Sequence, residues 1–113
     1  MEKDKKLGKI ESINFGLGGY QGAMLGLNLV FSGESWAVSD FKGAWDPILI
    51  ECDEHCKWTE EDRSKQFIDI INLISKLLTE SKVNSIDQLK GKPVEVEFEG
   101  NTLKGWRILK EVL

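Results

Sequence analysis

Histidine occurs once, cysteine twice and proline twice in this chain of 113 residues, and no apolar run approaches the roughly 20 residues that a membrane-spanning helix needs. Each scarcity excludes something. Structural zinc draws four ligands from two separated knuckles, and "CDEHC" supplies only Cys52, His55 and Cys56 with no second Cys or His pair elsewhere, so these three are weak metal candidates. The same three residues would have to carry any Cys–His nucleophilic chemistry, and the orienting third group is unidentified. No serine elbow, phosphate-binding P-loop or kinase signature is present. Catalysis is therefore not expected, a hydrolase being the residual alternative, and no cofactor is implied.

Basic charge is short as well. Fifteen Lys and Arg stand against nineteen Asp and Glu, a formal net charge of -4, so no strong positive field gathers phosphate backbones and direct nucleic-acid binding is not expected. The longest acidic run, Glu60 to Asp62, is too short for a DNA mimic. The opening "MEKDKKLGK" lacks the apolar segment of a signal peptide, which leads to the expectation of a cytosolic protein with both thiols reduced and no membrane association.

What the chain does have is glycine, concentrated in "NFGLGGYQGAMLG" around Tyr20 and Gln21. A strand follows this stretch, so it is not a dinucleotide fingerprint, which requires a helix there. Two readings stand beside each other. Gly16, Gly18, Gly19 and Gly22 supply positive φ to a hairpin bend, or bare backbone lets a ligand approach while Tyr20 and Gln21 stack and hydrogen-bond.

Alternation places Leu25, Leu27, Leu29 and Phe31 on one face of a strand, with shorter strands at "KIESINF" and "WAVSDF". Residues 43 to 58 follow neither period and form an irregular connection with a short extended piece at "ILIEC". Thr59 caps a helix from about Glu60 to Ser81, whose Phe67, Ile70, Ile71, Ile74, Leu77 and Leu78 make one apolar stripe. Ser85 and Gln88 mark one further helical turn. "VEVEF" then alternates after Pro93, Gly100 and Asn101 turn the chain, and "TLKGWRILKEVL", apolar on both faces, is expected inside the sheet. The fold class is α+β, an antiparallel sheet of about five strands with one long helix across a face, in the order β-β-β-α-β-β. Residues 1–7 are expected to fray and 8–113 to form one domain.

Four tryptophans are generous for this length. Trp36, Trp45 and Trp58 flank the irregular segment, and with Phe41, Lys42 and Arg63 they could form an aromatic and basic pocket for a planar base and a phosphate. Core packing is the competing role for one or two of these rings. The candidate ligand- or partner-binding set is therefore Gly18, Gly19, Tyr20, Gln21, Trp36, Phe41, Lys42, Trp45, Trp58 and Arg63.

Several blocks together, "GKIESINFGLGGYQGAMLGL", "DFKGAW", "KWTEEDR" and "SIDQLKGKPVEVEFEGNTLKGWRILKEVL", resemble a family of small, largely uncharacterised proteins encoded in phages and prophages. The resemblance runs from Leu7 to the last residue, and Cys52 and Cys56 fall outside its pattern. It carries over no catalytic residues. It implies the host bacterial cytoplasm and a non-catalytic binding protein that counters bacterial immunity by sequestering a nucleotide-derived signal. The alternatives are a stoichiometric inhibitor docking on a host defence complex, of the anti-CRISPR type, using the bend and the acidic Glu95, Glu97 and Glu99, and a phage structural or assembly protein. Because 113 residues enclose little volume, a ligand site at a subunit interface, and hence a homo-oligomer, is expected.

Overall fold

The computed structural model describes residues 3–113. Its elements are β1 (Lys3–Gly18), β2 (Met24–Gly33), β3 (Trp36–Trp45), α1 (Glu60–Ser81), β4 (Pro93–Glu99) and β5 (Thr102–Ile108), with 3-10 turns at Tyr20–Gly22, Ile86–Leu89 and Lys110–Val112. The fold is the expected α+β arrangement, one five-stranded antiparallel sheet and one long helix. Thr59 caps α1 in a full capping box with Asp62, and at the turn Ile86–Leu89 the Gln88 side chain reaches back to accept from the Ser85 N–H at 3.3 Å.

The strands lie side by side in the order β3-β2-β1-β4-β5. β1 is long enough to serve two partners, its first half pairing with β4 and its second with β2. At the changeover a bulge inserts Glu11 between Ile10 and Ser12, which swaps the parity of inward-facing residues and bends the strand. The sheet therefore rolls. Trp106 on β5 donates its indole N–H to the Asp40 carboxylate on β3 at 3.0 Å, although three strands separate those two edges within the sheet. Its ring also packs against Phe31 at 4.8 Å. The concave side holds the core, with Ile10, Leu27, Leu29, Phe31, Val94, Val96 and Ile108 at 1% exposure or less. Ile70 and Leu77 of α1 are buried too, while Ile71, expected in the same stripe, is 61% exposed.

The convex side is divided by the bulge. Before it, the outward residues of β1 oppose β4 as a charge ladder, Lys5 with Glu97 and Lys9 near Pro93, and Arg107 on β5 reaches Glu95 at 3.2 Å. After it, the outward residues carry no charge: Ser12, Asn14, Gly16 and Gly18 on β1, then alternate positions from Met24 to Ser32 on β2 and from Ala37 to Trp45 on β3. Phe41 lies across this face over Gly43, and a methyl at Gly43, Gly18 or Gly19 would press on its ring. The chain's own phenyl group thus fills the space that these glycines leave open.

Three expectations change. The expected fray of residues 1–7 is replaced, from Lys3 on, by paired strand running to Leu7 opposite Glu95; Met1 and Glu2 lie outside the described residues. "ILIEC" forms no strand, because β3 itself continues to Trp45 and leaves 46–58 without a pairing partner. β5 is an edge strand and not an interior one. Its apolarity on two faces arises because a register shift at Glu97/Phe98 changes its parity, turning Leu103, Trp106 and Ile108 all inward.

If the Trp106–Asp40 bond holds the rolled sheet together, Trp106→Phe should lower stability by about 1.5–3 kcal/mol, the usual range for a hydrogen bond to a charged group. A urea midpoint equal to that of the native chain would show that core packing alone sets the roll.

Candidate functional site

The glycine-rich bend is fixed by backbone geometry. Gly19 adopts φ 67° and ψ -149°, a region essentially restricted to glycine. Gln21 follows at φ 53°, and the Asp46 N–H donates to the Ala23 carbonyl at 2.9 Å, tying the exit of β3 to the exit of the bend. The Asp46 carboxylate then accepts from the N–H groups of Ile48 and Leu49 at 2.8 and 2.9 Å, closing the turn around Pro47.

These ties set a row of rings beside the bend. Tyr20 meets Trp45 edge to face, with centroids 6.2 Å apart. Trp45 and Trp58 are nearly parallel, 19° between planes and 6.5 Å between centroids. The Arg63 guanidinium lies 4.6 Å from the Trp58 ring. Of the expected set, Tyr20, Trp45, Trp58 and Arg63 are therefore brought together, Gln21 is exposed on the bend, and Gly18 and Gly19 adjoin Phe41 on the uncharged face.

Two members stand elsewhere. Trp36 is at the opposite end of β3, edge-on to Phe98 at 5.5 Å and filling the space above Gly33 and Gly8; it is a core ring of the far end. Lys42 leaves β3 on the side opposite Phe41 and pairs with Asp40 at 3.6 Å. Its face is set by strand parity, which also separates it from the Tyr20 row.

Arg63 differs from expectation in its chemistry. It is 4% exposed. Its Nε donates to Glu60 at 2.8 Å, its Nη1 to the carbonyls of Trp45 and Ile50 at 3.3 and 2.9 Å, and its Nη2 lies 2.7 Å from Glu60. A guanidinium has five N–H donors, so little remains for a phosphate. Arg63 is the brace behind the rings.

Sequence reasoning missed Ile48 and Leu49, which are 88% and 55% exposed beside the bend, with Tyr20 at 67%. The available signal was Asp46-Pro47 followed by an apolar pair, since an Asp that closes a turn on the N–H groups ahead of it sets those residues in a surface connection. Among the described residues no three His, Cys, Asp or Glu side chains are placed to hold a metal ion. His55 is exposed, 3.6 Å from Glu54. Cys52 donates to the Trp58 carbonyl at 3.1 Å, and its pKa is pushed up to about 11, first by its hydrogen bond with Cys56 and then by burial. At neutral pH it is a thiol, the unreactive form.

Two clefts run along α1. One of about 340 Å³ lies between Phe41 to Gly43 and the helix residues Gln66 to Leu73, and one of about 540 Å³ lies between α1, β3 and β5. Comparisons of the chain with protein-family models, with curated proteins and with solved structures return no significant match.

Arg63→Ala should destabilise by about 2–4 kcal/mol, because two carbonyls lose a buried donor. Arg63→Lys should recover only part of this, since a single ammonium cannot span Trp45, Ile50 and Glu60; chemical denaturation of both variants checks the order. For Cys52 the folded pKa lies above the ordinary 9.0, so the fold favours the neutral thiol: this contribution is complete below pH 9 and is lost as pH climbs through about 11. Alkylation followed by site-resolved mass spectrometry should find Cys52 nearly inert at pH 8 and increasingly labelled toward pH 11. Rapid labelling at pH 8 would contradict the assignment.

Proposed function

We propose that this protein is a non-catalytic binding protein that docks on another protein through its bend end. The observation that carries this reading is the exposure of Tyr20 at the edge of Trp45 and of Ile48 and Leu49 in the turn that follows Trp45, with Arg63 committed behind the Trp58 ring. An aromatic and apolar group with a rigid backing is the composition of an interface hot spot, and exposed apolar side chains grouped in this way mark interaction sites.

The uncharged convex face extends the patch. It runs from the bend along β1, β2 and β3, and depletion of charge is what distinguishes interface cores from the remaining surface. The connectivity, a helix between the third and fourth strands of a rolled five-stranded sheet, resembles by analogy the partly open barrels that bind along strands two and three and the loop after strand one. The lack of charge there disfavours a polyanion. A nucleotide held at the bend would need a phosphate partner, and Arg63, the cation expected in that role, is already engaged.

The resemblance to phage and prophage proteins directs the search for the partner to host defence complexes in the bacterial cytoplasm. Inhibition would then be stoichiometric, by occupation of a surface.

Tyr20→Ala and Ile48→Ser should keep the native melting temperature, since both side chains are exposed at a loop and contribute little to folding. Each should weaken capture of a defence complex from host lysate at least ~10-fold, the scale of a hot-spot truncation. Capture equal to that of the native chain by both variants would remove the bend end as the docking surface.

A further inference from the structure

The cleft of about 540 Å³ between α1, β3 and β5 lies away from the bend and has no part in the proposed docking. It exists because the rolled sheet stops short of closing. β3 pairs only with β2 and β5 only with β4, so the two edges face each other across a gap that α1 spans and the Trp106–Asp40 bond crosses.

The floor of this gap is apolar, made by Leu73 and Leu77 of α1 and by Leu103 and the half-buried Trp106 of β5. Its rim is basic. Lys42 is held by Asp40, Lys110 by Glu80, and Arg107 by Glu95 and Glu111, at 3.0 to 3.6 Å. Lys76 on α1 and Lys104 on β5 line the same cleft, both are exposed, and neither has an anionic partner among the described residues. In a chain whose net charge is -4, these two uncommitted cations give the cleft a local excess of positive charge.

We infer that this cleft binds a small organic anion of nucleotide size, its phosphate held between Lys76 and Lys104 and its flat ring against Leu103 and Trp106. The volume lies within the range of about 300–1,000 Å³ usual for small-molecule sites. An apolar floor with convergent charged groups at the rim supplies the two contacts such a ligand needs. A bare polyphosphate satisfies the rim and leaves the floor unused, and a neutral ring does the opposite.

ADP and inorganic pyrophosphate serve as probes, with native chain and a Lys76→Ala/Lys104→Ala variant compared by thermal shift and by the four tryptophan indole N–H signals in NMR. ADP should raise the melting temperature, move the Trp106 indole signal before those of Trp45 and Trp58, and bind the double variant at least ~10-fold more weakly, the loss expected for charge-assisted contacts. Pyrophosphate should bind more weakly than ADP. Tyr20→Ala should leave ADP binding unchanged, which separates this site from the docking end. The proposal is overturned if millimolar ADP moves neither the melting curve nor Trp106, if the double variant binds ADP as the native chain does, or if pyrophosphate matches ADP. Movement of Trp45 and Trp58 in place of Trp106 also overturns it, because the ligand then sits at the bend.

Discussion

A guanidinium removed from water has to be satisfied almost completely, and Arg63 meets that requirement by gathering three segments that otherwise share no regular structure. It takes the last carbonyl of β3 at Trp45, a carbonyl of the irregular connection at Ile50, and the carboxylate of Glu60 in its own first turn. This one side chain ties helix α1, the end of the sheet and the irregular connection to one another, alongside the packing of Leu77 in the core and the Asp46–Ala23 bond. The Tyr20–Trp45–Trp58 row is a consequence, since Trp58 lies under the guanidinium and Trp45 belongs to the strand whose carbonyl it holds. A cation that a ligand could have used is therefore spent on architecture, and the surface left in front of it is apolar.

The second constraint is the roll of the sheet. β1 changes partners at the Glu11 bulge, and bending there brings β3 and β5 near enough for Trp106 to reach Asp40. Two surfaces of opposite character follow from the same bend. The convex side separates into a charged ladder and an uncharged field, while the unclosed seam becomes a cleft with lysines on its rim. The proposed docking end and the proposed anion cleft draw on different residues, so each is tested separately.

Much of the fold was legible in the sequence because its signals are local. The Thr59 cap, the 3.6-residue stripe and the Ser85/Gln88 box place α1 and the turn after it, and the alternation of Leu25 to Phe31 and Val94 to Phe98 places two core strands. Trp45, Trp58 and Arg63 were legible as one aromatic and basic group beside an irregular segment, and the Tyr20–Trp45 contact joins the bend to them. Trp36 was misplaced because nearness in sequence to Trp45 hides that a ten-residue strand holds them at opposite ends. β5 was misplaced because a register shift imitates the two-sided apolarity of an interior strand.

By itself the sequence determined the long helix, the turn after it and the core of each strand, that a hydrophobic core exists, and that reactive groups are scarce, because propensity, periodicity and composition act over a few residues. Only the tertiary structure decided that Arg63 is buried and engaged, that the glycines beneath Phe41 are filled from within the chain, and that β3 and β5 leave an open seam. Those outcomes depend on which distant groups meet when a bulged sheet rolls, and no local pattern encodes the meeting of residues 40 and 106.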